Sequence, residues 1–131
     1  LELISMDRGG VGRLGEDIAA RYLEQKGYTI LDRNFRKPWG EIDIIAVRAG
    51  TVRFVEVKTV SRENSRGDIS REMDHQPEDL IDKRKLAKVA RTASLYMESK
   101  GDSREYQIDA VGVILDPITR KARCRLFEQI L

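Results

Sequence analysis

The sequence predicts an α/β protein in which a mixed central sheet of about five strands is flanked by helices. Periodic apolar residues give the order helix, strand, strand, strand, helix, strand, strand. The second and third strands carry apolar residues on both faces, which is typical of a sheet covered on both sides. A chain of 131 residues, 40% of them hydrophobic, fits one domain with its own core.

The N-terminal part is predicted to hold one helix and one strand. An apolar stripe at helical spacing covers residues 13–26, and Gly27 ends the helix. Residues 6–12 contain three glycines and have no apolar period, so residues 1–11 are expected to form a flexible segment, which leaves residues 12–131 as the domain. A polar-rich run over residues 28–35 predicts a strand at the edge of the sheet.

The central feature of the sequence is a hairpin over residues 40–58. Its two β-branched runs are joined across Ala49 and Gly50, a typical tight-turn pair. A loop of two or four residues places Asp43 opposite Glu56, whereas an odd-length loop would send them to opposite faces. The even-length loop therefore predicts two carboxylates on one face of the sheet.

These two carboxylates interrupt apolar runs. Lys58 lies two residues beyond Glu56 and projects from the same face. Pairing Asp43 or Glu56 with Lys58 would satisfy one charge and leave the second carboxylate without a partner. Buried charges require compensation, and a divalent cation is one candidate. An ion-pair network within the sheet is the structural alternative.

A very polar segment follows the hairpin. Residues 60–77 are predicted to form a mobile loop beside any site built at Lys58. His75 lies in this segment and is expected to be exposed to solvent, with a metal-binding or catalytic role as the minor alternative.

The longest helix is predicted over Pro77–Lys100, ended by Gly101. A neighbouring face is basic and is either solvated or in contact with phosphates. The predicted buried stripe contains Leu86, Val89, Ala90, Ala93 and Met97, and the basic face contains Arg84, Lys88 and Arg91.

Two strands are predicted after this helix, over residues 106–115 and 123–130. Asp109 interrupts the first of them and is expected to pair with a helix lysine, or otherwise to assist the hairpin site. Trp39, in the turn before the hairpin, either caps the core or offers a stacking surface for a base. Gly40 either allows a close backbone approach or only the turn.

The composition excludes several classes of protein. One cysteine excludes an internal disulfide, and one histidine leaves too few ligands for a structural zinc site. No apolar run is long enough to span a bilayer, and no secretory signal is found, so a cytoplasmic protein is expected. The net charge of +2 does not by itself indicate a nucleic-acid partner.

The spacing of Asp43, Glu56 and Lys58 resembles the D…ExK pattern of the PD-(D/E)xK nuclease core. The literal proline-acid pair is absent, because Pro38 and Trp39 precede Gly40 instead. Five segments also run in the order found in the YraN-type family of small bacterial proteins. They are residues 15–23, 27–28 and 34–36, Gly40-Glu41-Ile42-Asp43-Ile44-Ile45-Ala46 and Phe54-Val55-Glu56-Val57-Lys58-Thr59.

The resemblance covers roughly residues 12–130 and is closest up to Thr59. It implies a restriction-endonuclease-like fold, similar to Holliday-junction resolvases, in αβββαββ order. Taken alone, Glu16 is a first-turn glutamate stabilised by the helix dipole. The resemblance instead places it in one catalytic pocket with Asp43, Glu56 and Lys58.

The resemblance further implies a metal-dependent nuclease that cuts DNA, branched or otherwise structured, or RNA. Asp43, Glu56 and the backbone carbonyl of Val57 would hold Mg²⁺ or Mn²⁺, and Lys58 would orient the attacking water. The alternative is a nucleic-acid-binding module without turnover. A homodimer is expected by analogy with resolvases. The residues expected to contact nucleic acid, with DNA favoured over RNA, are Arg13, Arg36, Lys37, Arg84, Lys88 and Arg91.

Overall fold

A computed structural model describes residues 8–61 and 81–131 of the chain. Within these two ranges, two helices and five strands follow one another in the predicted αβββαββ order. They are α1 (Arg8–Gln25), β1 (Thr29–Lys37), β2 (Gly40–Arg48), β3 (Thr51–Ser61), α2 (Lys83–Ser99), β4 (Tyr106–Asp116) and β5 (Lys121–Phe127). The predicted fold class is confirmed, and the architecture is consistent with an α/β nuclease-like fold.

The five strands form one mixed sheet in the order β1-β2-β3-β4-β5. Strands β3 and β4 pair in parallel, and every other neighbouring pair is antiparallel. Helix α1 packs with Ile18 and Leu23 on one face of the sheet, whereas Val89 and Met97 of α2 pack on the other. Both faces are therefore covered, as the apolar alternation of the hairpin predicted. β1 is an edge strand, also as predicted.

The hairpin has a two-residue loop, one of the two even lengths that the sequence allowed. Arg48 faces Thr51 across it, and both loop residues have positive φ, 52° at Ala49 and 76° at Gly50. Positive φ at both positions is the geometry of a type I′ turn, whose twist matches that of the flanking strands. The register between β2 and β3 is therefore set locally by this turn.

Helix α1 begins earlier than predicted. Its first residue is Arg8, so residues 8–11 are helical where a flexible segment was expected. The physical reason is that Val11 and Leu14 pack against the same core as Ile18, which extends the apolar stripe toward the N-terminus.

Helix α2 begins at Lys83 rather than at Pro77. Asp82 is its N-cap and accepts a hydrogen bond from the Lys85 N–H at 2.8 Å. Residues 62–80 lie outside the described residues, and with them Pro77, His75 and most of the polar segment predicted as a loop. The buried side chains of α2 are Val89, Thr92, Ala93, Tyr96 and Met97.

The C-terminal strands pair closely, because Asp116 faces Lys121 across their turn. β5 therefore covers Lys121–Phe127 and not the predicted 123–130. Among the described residues, no helix is both long enough and apolar enough to cross a membrane.

Candidate metal centre and adjoining basic pocket

Two glycines let the helices approach the sheet closely around the hairpin. A Cβ added at Gly15 of α1 would overlap the side chain of Thr59 on β3. A Cβ added at Gly40 would overlap the Thr92 hydroxyl of α2. Gly40 is thus required for a close approach, one of its two predicted roles. These contacts hold α1 and α2 tightly against the strands that carry the candidate carboxylates.

Glu56 is a buried carboxylate on β3, with only 2% of its surface exposed. Its Oε2 lies 3.2 Å from the Lys85 Nζ of α2, whereas its Oε1 has no hydrogen-bond partner among the described residues. Burial, reinforced by the Asp43 carboxylate, raises the pKa of Glu56 from 4.5 to about 7, and the Lys85 ammonium opposes this rise. Glu56 is therefore a buried carboxylate with a perturbed pKa, and the described part of the chain provides a partner for one of its two oxygens.

Asp43 lies on β2, next to the last described pair of the hairpin, Ile44 with Val55. Its Oδ2 accepts a hydrogen bond from the backbone N–H of Val57 at 2.8 Å. Burial raises the pKa of Asp43, while the Val57 N–H opposes the rise. The structure thus brings Asp43, Glu56 and the backbone of Val57 together where the pairing of β2 with β3 ends.

Glu16 approaches this pair from α1. Since α1 begins at Arg8, Glu16 is not in the first helical turn, and the interpretation as a first-turn glutamate is wrong. Partial burial and then the Asp43 carboxylate raise the pKa of Glu16, and Arg33 is the largest opposing influence. Glu16 lines a pocket of about 270 Å³ together with Arg13, one of the predicted nucleic-acid contacts.

The ammonium next to Glu56 belongs to Lys85, not to Lys58. Lys58 is exposed, and the described residues provide it with no ion pair. The sequence contains a signal for Lys85, because it lies four residues before Val89 and seven before Thr92, in line with the buried stripe of α2. The sequence prediction named Arg84, Lys88 and Arg91 as the basic face and gave Lys85 no role at the carboxylates.

The donor set fits a hard divalent cation in an open site. Within residues 8–61 and 81–131, no three His, Cys, Asp or Glu side chains are grouped closely enough to hold a metal ion. Mg²⁺ is commonly held by one or two carboxylates, with water and substrate phosphates as further ligands. Asp43 and Glu56 form such a pair, and the Glu56 Oε1 has no hydrogen-bond partner in the part of the chain that the structure describes.

A basic pocket of about 480 Å³ adjoins the carboxylates. Three of the predicted nucleic-acid contacts line it: Lys37, Arg84 and Lys88. Of the other predicted contacts, Arg36 forms an ion pair with Glu41, and Arg91 is exposed on α2. Trp39 is 46% exposed and lines this pocket, so its interpretation as a cap of the core is wrong. The charged and aromatic residues that line the pocket are Lys37, Trp39, Glu41, Asp82, Arg84, Lys85 and Lys88.

Asp109 has a different environment from the one predicted. Its Oδ2 lies 3.5 Å from the Arg53 Nη1 of β3 and accepts a hydrogen bond from the Tyr28 hydroxyl at 3.0 Å. The predicted pairing with a helix lysine is wrong, because Asp109 and Arg53 project from the sheet face that carries Tyr28. Asp109 is therefore part of a buried structural network and not of the hairpin site.

Comparison with known proteins places the chain in a family. Residues 15–113 match the model of "Uncharacterised protein family UPF0102". A UPF0102 protein of Moorella thermoacetica is 37% identical over 120 residues, which cover 91% of this chain and 92% of that protein. A relative in Caldanaerobacter subterraneus is 38% identical over 109 residues, covering 82% of this chain and 81% of that protein. One in Fervidobacterium nodosum is 35% identical over 102 residues, covering 78% and 69% respectively. The resemblance to the YraN-type family is thereby confirmed: the chain belongs to UPF0102.

Proposed function

We propose that this protein is a metal-dependent nuclease that hydrolyses phosphodiester bonds, with DNA, branched or otherwise structured, favoured over RNA. One observation carries the proposal. The Glu56 carboxylate is buried beside Asp43, and no residue in the described ranges 8–61 and 81–131 forms a hydrogen bond with its Oε1. Such a group costs folding free energy, and perturbed carboxylates of this kind concentrate at functional sites.

Asp43, Glu56 and the Val57 carbonyl would hold Mg²⁺ or Mn²⁺. When bound, the cation would polarise the scissile phosphate and lower the pKa of an attacking water. The chain's own residues prepare this site: the Val57 N–H fixes the orientation of the Asp43 carboxylate, and Lys85 balances the charge of Glu56. Lys58 is exposed two residues beyond Glu56, where it would orient water or neutralise charge on the phosphate.

The charge around the site supports a nucleic-acid substrate. Lys37, Arg84 and Lys88 line the pocket next to the carboxylates. Cationic side chains of this type contact phosphates and supply most of the sequence-independent affinity for nucleic acid. Glu16 and Arg13 lie on the α1 side of the site, where they would act as an outer shell and as a backbone contact respectively.

The Lys85–Glu56 ion pair favours a second candidate, a nucleic-acid-binding module without turnover. In that case Lys85 would neutralise Glu56 permanently, and no cation would be needed at the site. Nucleic-acid affinity would then be unchanged by EDTA, and no substrate would be cut.

The test is a cleavage assay with single-stranded, flapped, four-way-junction and duplex DNA and the corresponding RNA, with Mg²⁺ or Mn²⁺. The wild type is expected to cut at least one substrate. Asp43→Asn and Glu56→Gln are each expected to lose at least about 100-fold in rate, since both remove charge that the transition state requires. Glu98→Gln makes the same chemical change at an exposed position of α2 and is expected to cut normally.

The proposal fails if the wild type cuts none of these substrates with either metal. It also fails if Asp43→Asn and Glu56→Gln cut as fast as Glu98→Gln.

A further inference from the structure

We infer that the basic pocket binds an unpaired nucleotide, with its base stacked on Trp39 and its phosphates held by Lys37, Arg84 and Lys88. The inference rests on the proposed function, because it specifies which nucleic acids the carboxylate site receives. They are molecules with a single-stranded segment, such as a flap or a frayed branch, rather than continuous duplex.

Trp39 is the first basis for this inference. It lies in the turn between β1 and β2 and is 46% exposed, outside both hydrophobic clusters of the core. An aromatic side chain at the surface can stack on any base, since every base has a π-face. In a duplex these faces are already stacked on neighbouring base pairs, so only an unpaired base is available to Trp39.

The charge of the pocket is the second basis. Two acids line it, but Asp82 caps α2 and Glu41 pairs with Arg36. Within the described parts of the chain, no ion pair engages the three cations, Lys37, Arg84 and Lys88. The pocket therefore combines a stacking surface with several cations, the two elements that single-strand binding sites share.

The size and position of the pocket are the third basis. Its volume of about 480 Å³ lies within the usual range of ligand pockets, roughly 300 to 1,000 Å³. Lys85 lines the pocket and also contacts Glu56. A nucleotide held there would consequently have its phosphates next to the candidate metal centre.

Trp39 also provides a direct probe, because it is the single tryptophan of the chain. The full chain would be titrated in EDTA with a short single-stranded oligothymidine and, separately, with a blunt duplex of the same length. EDTA removes the metal, so the measurement does not depend on cleavage. Tryptophan emission reports stacking, and the anisotropy of a dye on each oligonucleotide reports affinity.

The single strand is expected to quench the Trp39 emission, and the duplex is expected to leave it unchanged. Trp39→Ala is expected to weaken single-strand affinity by about 5- to 150-fold, the range for loss of one stacked base. Trp39→Phe keeps a stacking ring and is expected to retain most of the affinity. Lys88→Ala is expected to weaken binding and to lower the salt dependence of the affinity.

Ile118→Ala is the matched control. It also truncates an exposed apolar side chain, 71% exposed, but in the turn between β4 and β5 at the opposite edge of the sheet. Its affinity for both oligonucleotides is expected to equal that of the wild type.

Equal quenching by duplex and single strand would overturn the inference, as would Trp39→Ala binding the single strand as tightly as Ile118→Ala. These outcomes can be separated from failure of the proposed function. Cleavage of DNA without any change in emission would refute the stacking pocket alone. Quenching by the single strand without cleavage under either metal would support the pocket and refute the nuclease.

Discussion

Two buried carboxylates on neighbouring strands illustrate two uses of a charge in this fold. Asp109 on β4 is 0% exposed and Glu56 on β3 is 2% exposed. Both oxygens of Asp109 are engaged: Oδ1 accepts from the Gln107 side chain and the Gln129 N–H, each at 2.8 Å, and Oδ2 accepts from Tyr28. Arg53, also buried, adds an ion pair.

Within residues 8–61 and 81–131, Glu56 has fewer hydrogen-bond partners than Asp109. Lys85 contacts its Oε2, and the Asp43 backbone N–H also lowers its pKa, but burial and the Asp43 carboxylate raise that pKa. Buried charges are tolerated when they are paired and hydrogen-bonded, and they destabilise the fold when they are not. Asp109 therefore connects the sheet to the C-terminal residues, whereas Glu56 is available to bind a ligand.

The largest expected effect is at Asp109. Asp109→Asn would remove the buried one of the two carboxylates next to Arg53, leaving the half-exposed Glu128 at 3.0 Å, and would set an amide N–H₂ against existing donors. We expect the free energy of unfolding to fall by about 3 to 5 kcal/mol, the usual cost of breaking a buried pair. Urea denaturation measures this change. A loss below about 1 kcal/mol would contradict the structural role of Asp109.

Glu56→Gln is expected to change the free energy of unfolding in the opposite direction from Asp109→Asn. Because its pKa is about 7 in the folded protein against an ordinary 4.5, the folded state binds more protons between these values. Stability therefore falls as pH rises through this window, by up to about 3 kcal/mol in EDTA. Glu56→Gln cannot ionise, so we expect it to exceed the wild type in stability at pH above about 7, and the difference to shrink toward pH 4.5.

Urea denaturation in EDTA across this pH range measures the Glu56→Gln difference. Glu98→Gln, at an exposed site, provides the control and is expected to follow the wild-type curve. If Glu56→Gln is less stable than the wild type at high pH, the Glu56 carboxylate stabilises the fold, as that of Asp109 does.

A smaller effect is expected at Lys85. Its ammonium lies 3.2 Å from the Glu56 Oε2 and lowers the pKa of that carboxyl, so Lys85→Met should raise this pKa further. Stability in EDTA near pH 8 should fall by about 1 kcal/mol, since the lysine is half exposed. Lys83→Met alters an exposed lysine of the same helix and serves as the control. If Lys85→Met and Lys83→Met have equal stability in EDTA near pH 8, Lys85 does not stabilise the Glu56 carboxylate.

The same two carboxylates show how far the sequence could predict the structure. The proximity of Asp43 to Glu56 follows from a two-residue turn, because a tight loop fixes the register of both strands. The turn residues and the alternation of β-branched side chains were sufficient for that prediction. Glycine spacing and apolar stripes similarly predicted the order of the elements and the edge position of β1.

The partners of the carboxylates could not be predicted in this way. Arg53 reaches Asp109 because β3 and β4 pair in parallel, with Val55 facing Asp109. A long crossover joins these strands, and unlike a tight turn it does not set their register. Lys85 reaches Glu56 through the docking of α2 on the sheet, which depends on close contacts such as that of Gly40 with Thr92. Both pairings are properties of tertiary packing.

The most direct test of the central claim is the position of Mn²⁺ in crystals soaked with this ion, located by its anomalous scattering. The account predicts a Mn²⁺ within coordination distance of both the Asp43 and Glu56 carboxylates, absent from Glu56→Gln crystals and without any counterpart at Asp109. Crystals that show no Mn²⁺ at Asp43 and Glu56, with the Lys85–Glu56 ion pair intact at saturating metal, would contradict it.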